Sequence, residues 1–305
     1  MRFETINASE YVPVEPEEIG SKDKFWLQHV DSGQHCLFKI GRDQNENWAE
    51  VVCYRIAKLL GIPCAEYKLV KFADKHGVLS TSFLGNGEEF KSANKRLASE
   101  YSDYQHSVNM PPQYTIDRVF ALLKRARPDV APPSAFVCTG DGDIKFVDEI
   151  FVGYLMLDAL VANQDRHHQN WGIITRVETK KVRLAPSFDH ASSFSRESDE
   201  MKEQRMQTCD HGFTLEAFCG RAKSRFYDEK GEVRLKTLEV FQYAHQILPT
   251  AAKYWLTRLR KLDADADFRA LFADADRAII TQISIDFALR MLQFNRHRLL
   301  DLDHA

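Results

Sequence analysis

The chain has 305 residues, of which 44% are hydrophobic and 28% charged, the balance of a folded globular protein rather than a disordered one. At roughly 150 residues per domain, two domains or lobes are expected. Lysine and arginine total 41 against 44 aspartates and glutamates, a net charge of −3, so no global positive field exists for nucleic acid or anionic lipid. The N-terminus lacks the apolar segment of a secretion signal. The longest apolar run, Ile150 to Ala162, is broken by Asp158 and falls short of the roughly 18 residues of a membrane helix. Six scattered cysteines with no C-x-x-C pair read as reduced thiols. A cytoplasmic location without membrane association is expected.

The first third reads as strands with one helix. Phe25 to Val30 and His35 to Ile40 flank Asp31-Ser32-Gly33-Gln34 as a hairpin. A helix is predicted over Trp48 to Leu60, with Asn47 as its cap, Gly61 ending it and Pro63 forbidding continuation. Tyr67 to Phe72 and Val78 to Phe83 are predicted strands. Gly85-Asn86-Gly87 breaks the pattern, which places a small β-rich lobe at 1–86 and a larger helical lobe at 87–305. Helices are predicted over Ile116 to Ala126, Glu149 to Ala162, Leu235 to Leu248, Thr250 to Leu262 and Asp276 to Leu302, with Pro249 splitting the third from the fourth. Trp171 to Ile174 and Val182 to Ala185 form a second hairpin.

The polar residues crowd into Asn163-Gln164-Asp165-Arg166-His167-His168-Gln169-Asn170, directly after an apolar helix. A further acid, Asp189, follows beyond the second hairpin. Asp-x-x-x-x-Asn, a hairpin, then Asp is the layout of a phosphoryl-transfer site: one carboxylate orients the attacking hydroxyl, while the Asn oxygen and the second carboxylate hold Mg²⁺. Lys39 stands inside the apolar strand Leu37-Phe38-Lys39-Ile40 and needs a partner, because an unpaired buried ammonium is costly. Glu50 is one candidate. Three residues after Asn47, it can instead reach back to the helix cap. No Walker-type phosphate loop is present, nor a G-x-G-x-x-G. Gly20-Ser21-Lys22-Asp23-Lys24 is the remaining candidate for a phosphate cradle.

Together, the LFK strand, the WAE helix, GSKDKFW, NQDRHHQN and the FDH segment resemble the HipA-like kinases, bacterial serine/threonine kinases with a two-lobed α+β fold distantly related to protein and phosphoinositide kinases. The likeness runs from about Glu15 to Ser195. It implies Asp165 as catalytic base, Lys39 as the ATP lysine, Asn170 and Asp189 as magnesium ligands, and Gly20, Ser21, Lys22 and Lys24 as the phosphate loop. It also implies Ser82, Phe83 and Leu84 as the adenine hinge, and places Glu50 and His167 beside the nucleotide. The expected activity is ATP- and Mg²⁺-dependent phosphorylation of Ser or Thr in a protein, with autophosphorylation of Ser21 switching the enzyme off. The sequence departs from the family in lacking the N-terminal subdomain of long HipA toxins, so pairing with a DNA-binding antitoxin is not expected; an unknown bacterial partner stays open.

Three other readings share some of these residues. They are a lipid or small-molecule kinase, a nucleotide-binding pseudokinase, and a metallohydrolase built on His167, His168 and His190. The basic stretch Arg221, Lys223, Arg225, Lys230, Arg234 and Lys236 reads as a solvated surface loop rather than a docking face. Tyr254-Trp255 and Phe287 to Phe294 read as core.

Overall fold

The computed structural model describes residues 1–2, 4–16, 24–72, 74–127, 129–133 and 144–303. Strands β1 (Glu4–Thr5), β2 (Tyr11–Pro16), β3 (Lys24–His29), β4 (His35–Lys39), β5 (Tyr67–Phe72) and β6 (Lys75–Thr81) form one sheet in the order β1-β5-β6-β4-β3-β2. The β3–β4 hairpin pairs as predicted, with Trp26 opposite Leu37 and Lys24 opposite Lys39. One face of the sheet buries Leu27, Phe38, Val70, Phe72 and Leu79 together. The other face packs on helix α1 (Gln44–Leu60), which buries Trp48, Val52, Cys53, Ile56 and Leu60.

The start of α1 corrects the predicted cap. Asp43, in extended backbone, accepts from the Glu46 amide at 3.0 Å, and Glu46 in turn accepts from the Arg42 amide at 2.9 Å. The short acid one turn earlier reaches the free amides first. Asn47 lies inside the helix and accepts from the Gly41 amide instead. Gly61 ends the helix in left-handed backbone (φ 71°), where a side chain would be strained.

Residues 85–87 lead to a second sheet, β7 (Glu88–Ser92), β8 (Val130–Ala131), β9 (Gly172–Arg176) and β10 (Val182–Leu184), ordered β7-β9-β10-β8. The remainder is mostly helical: α2 (Ala93–Glu100), α3 (Ile116–Ala126), α4 (Val147–Leu160), α5 (Asp199–Gln207), α6 (Leu215–Arg221), α7 (Thr237–Ile247), α8 (Pro249–Lys261), α9 (Ala266–Ala270) and α10 (Gln282–Asp301). Pro249 opens α8, where its missing N–H costs nothing. Between α6 and α7 lies the hairpin β11 (Lys223–Tyr227) and β12 (Arg234–Lys236). The basic stretch predicted as a solvated loop is therefore strand-paired over part of its length.

From Ile150 to Leu160 helix α4 is apolar on every face except at Asp158, and this whole stretch is buried, as that pattern demands. Gly153 lies where any Cβ would strike the Trp255 ring, so α8 packs close against it. This central helix delivers the chain straight into residues 161–171. Among the described residues, no helix is long and apolar enough to cross a membrane.

Candidate active site

Lys39 ends β4 almost fully buried, at 9% exposure. Its Nζ lies 3.4 Å from Glu50 Oε1 and 3.5 Å from Asp189 Oδ1. Burial alone would drive off its proton. The Asp189 carboxylate, Tyr67 and Glu50 outweigh burial and hold its pKa well above the ordinary lysine value. Glu50 thus anchors the strand lysine rather than capping its helix, and its other oxygen accepts from the His190 amide at 2.8 Å. One buried carboxylate ties β4 to the segment that carries Asp189. We expect Glu50→Gln to lower nucleotide affinity about ten-fold, as Lys39 loses a charged anchor while the cap at Asp43 is untouched. A calorimetric titration with wild-type affinity would return Glu50 to a purely structural role.

Asp189 adopts left-handed backbone (φ 60°), which turns the chain sharply between Phe188 and His190. For a non-glycine residue this costs energy that the surroundings must offset. The hydrogen bonds of its neighbours do so. The Asp189 amide donates to Tyr67 Oη at 3.2 Å, and His190 Nε2 meets Ser187 Oγ at 2.8 Å.

The loop after α4 is built on Arg166, which is 1% exposed. Its guanidinium forks onto Asp158, with Nε and Nη2 each 2.8 Å from a carboxylate oxygen. Nη1 donates to the Asn170 carbonyl at 3.0 Å, and Nη2 to Ser187 Oγ at 2.9 Å. Nη2 also lies 3.1 Å from His190 Nε2, which can accept in the tautomer that carries its proton on Nδ1. Burial, reinforced by the Arg166 charge, keeps His190 neutral with a pKa far below the ordinary histidine value. Arg166 thereby staples the Asp165 loop to the Asp189 loop.

Asn170 Nδ2 donates to the Asp165 carbonyl at 2.8 Å, and the Asp165 amide donates to Asn163 Oδ1 at 3.1 Å. The first bond spends the amide donor and leaves Asn170 Oδ1 as the group available to a cation. The side chain of Asp165 is 30% exposed and takes two N–H groups of Arg225 on Oδ1, at 2.8 and 2.7 Å.

Lys39, Asp165, Asn170 and Asp189 line one cleft of about 790 Å³. Ser82, Phe83 and Leu84 line it as well, with Phe188 packed on Phe83 at 5.6 Å between ring centroids. The Phe83 carbonyl is taken by Arg183 at 2.8 Å, and the Leu84 amide by Ser82 Oγ at 3.2 Å. Lys24, opposite Lys39 across the hairpin, and His167 line the same cleft and share with Lys39, Asp165 and Asp189 a recess of about 120 Å³. Asp189 and the Asn170 amide oxygen are the hard oxygen donors that Mg²⁺ takes. The predicted phosphate-loop residues Gly20, Ser21 and Lys22 lie outside the described residues.

The histidines do not converge on a metal. His168 is 1% exposed and bonds Tyr104 Oη at 2.7 Å, with its pKa lowered to about 4 by burial, helped by His167 and His106. His190 is committed to Arg166 and Ser187. Among the described residues, no group of three His, Cys, Asp or Glu side chains is placed to hold a metal ion.

Two site residues escaped the sequence reading. Asp158 carried a signal, since the one acid within the apolar run Ile150 to Ala162 demands a buried partner. Arg225 carried none, as it reaches Asp165 from a hairpin remote in the chain.

The family model of the HipA-like C-terminal domain matches residues 19–255. No curated protein matches the chain. Among solved structures, the Helicobacter pylori proinflammatory kinase CtkA is similar over 97% of this chain and 94% of its own, with a TM-score of 0.74 and 17% identity. HipA from the Shewanella oneidensis MR-1 complex of HipA, HipB and operator DNA is similar over 95% of this chain and 68% of its own, with a TM-score of 0.55 and 11% identity. At these identities the likeness is one of fold.

Proposed function

The chain belongs to the HipA-like family, and from that membership we propose that it is a kinase that transfers the γ-phosphoryl group of ATP to a Ser or Thr hydroxyl of a protein. The observation that carries this reading is the cluster in which Lys39 is held by Glu50 and Asp189 within the cleft that also presents Asp165 and Asn170. An ammonium kept charged in a buried site is suited to neutralising phosphate oxygens.

Phe83, Phe188 and Leu37 give the far end of the cleft an apolar lining suited to a flat base. Asp165 orients the acceptor hydroxyl and takes its proton as the oxygen bonds to the γ-phosphorus. The bond from that phosphorus to the β–γ bridging oxygen breaks, and ADP leaves. Asn170 and Asp189 would hold Mg²⁺, which supplies positive charge against the phosphates when bound. The protein's own contribution is position and charge, with no covalent intermediate needed.

Thermal unfolding tests the binding half of this reading. Mg·ATP at about 100 times its Kd stabilises by about 2.7 kcal/mol, which is a rise of several degrees in Tm for a protein of this size. Asp189→Asn should abolish the Mg²⁺-dependent part of that rise, because a neutral amide is a poorer ligand for a hard dication. Label from γ-labelled ATP that appears in lipid but not in protein would overturn the choice of acceptor. No transfer to any acceptor would overturn the kinase reading.

A further inference from the structure

A second cavity of about 420 Å³ shares Asp165, Arg196 and Arg225 with the large cleft but has its own far wall of Gln164, Glu197, Phe218 and Arg234. Asp165 therefore faces two spaces. The first contains the lysines and the apolar lining suited to a nucleotide. Resting on the kinase reading above, the second is where an acceptor hydroxyl can approach the same carboxylate without crossing the nucleotide.

The charges in this second space decide what it accepts. Its two carboxylates are both occupied. Asp165 is held by Arg225, and Glu197 is held at 2.6 and 2.7 Å by Arg205, which lies outside the cavity wall. Arg196 has Glu46 at 3.5 Å. Arg234 is different. Its Nε and Nη2 both donate to the neutral Ser224 carbonyl, at 2.9 and 2.6 Å, and among the described residues no carboxylate lies within 4.0 Å of it. Burial of its half-buried guanidinium, together with the like charge of Arg225, lowers its pKa against the opposing pull of Tyr227 and Asp165. The groove thus presents one cation with no carboxylate within ion-pair distance among the described residues, held rigid by a backbone carbonyl, beside the Asp165 carboxylate.

We propose that this groove is the acceptor-binding site and that Arg234 selects a peptide segment in which a carboxylate side chain lies next to the phosphorylated Ser or Thr. Small-molecule sites are mostly apolar and enclose their ligand. Here three arginines and one aromatic ring border an opening that suits an extended acidic segment entering from solvent. The arginine fork gives charge-assisted hydrogen bonds to a carboxylate, about twice as strong as neutral ones. The stretch from Arg221 to Lys236 is then a docking face at Arg225 and Arg234, in place of the solvated loop its composition suggests.

The test uses two fluorescent ten-residue peptides, each with a central serine flanked by glutamates or by lysines. Binding is read by anisotropy with Mg²⁺ and a non-hydrolysable ATP analogue, and transfer is read separately with γ-labelled ATP. The glutamate peptide is expected to bind at least ten-fold tighter. Arg234→Gln should erase that preference, and Arg234→Lys should retain most of it. Nucleotide-induced stabilisation of each variant verifies that it is folded. Equal binding of the two peptides, tighter binding of the lysine peptide, no binding of either, or an unchanged preference in Arg234→Gln would each overturn the assignment. A binding preference with no label in either peptide would uphold selection of an acidic segment by Arg234 and overturn the groove as the acceptor site, whereas the kinase reading falls only if no acceptor of any kind is labelled, so the two failures are distinct.

Discussion

Asp165→Asn is expected to lower phosphoryl transfer by about 10²–10⁴-fold, the usual weight of a general base, while nucleotide affinity stays close to wild type. On the proposed kinase reading the side chain would meet the acceptor's proton and not the nucleotide, whose phosphate charge Lys39 would meet together with a Mg²⁺ held by Asn170 and Asp189. Oδ1 of Asp165 is already filled by two N–H groups of Arg225, so Oδ2 is the oxygen left for a hydroxyl. An amide at this position can still accept from Arg225 but cannot take up a proton. The backbone should not move, because Asn163 and Asn170 hold the amide and carbonyl of residue 165 independently of its side chain. Transfer of label from γ-labelled ATP and calorimetric nucleotide binding measure the two halves. Transfer above a few per cent of wild type would place the base elsewhere.

The order of strands and helices was legible wherever period and punctuation agreed. Helix α3 spans the predicted Ile116 to Ala126, and the β3–β4 hairpin has the predicted turn. The helical register of α1 was legible and its start was not. Asp43 and Asn47 are both good caps, and only tertiary context, the Gly41 amide waiting for Asn47, separates them. Local spacing picked out the residues that the structure gathers around the cleft, since Asp165, Asn170 and Asp189 lie close in sequence. It did not reveal what aligns them. Glu50 could serve a cap or an ion pair, with the pair to Lys39 the favoured reading, and Lys39 and the His190 amide, which arrive from other elements, make that choice. The contact from Arg225 to Asp165 depends on how β11 docks on the α4 loop, where Gln164 Oε1 accepts from the Lys223 amide. No local pattern encodes that.

Replacing Arg166 should cost more stability than any other single change at the site. Arg166→Met leaves the Asp158 carboxylate buried with the Asn163 side-chain amide, at 2.8 Å, as its remaining hydrogen-bond donor among the described residues. An uncompensated buried charge costs about 3–5 kcal/mol, a large share of the roughly 5–15 kcal/mol that holds a domain folded. Urea unfolding should show a loss of that size. The double variant Asp158→Asn/Arg166→Met should recover part of it, because no charge is then stranded, and the cycle of four proteins measures the coupling. A loss under about 1 kcal/mol in Arg166→Met would mean that water reaches Asp158 and the pair is not sealed. Arg166→Lys separates charge from shape. Lysine can neutralise Asp158, but a single ammonium cannot also reach the Asn170 carbonyl, Ser187 and His190 as the planar fork does. The Asp165 and Asp189 loops would then keep their separate folds and lose their common staple. Arg166→Lys should therefore retain most of the stability and lose transfer at least ten-fold, because on the proposed kinase reading Asp165 toward the hydroxyl and Asp189 toward the metal would have to be held in one geometry for the reaction to proceed.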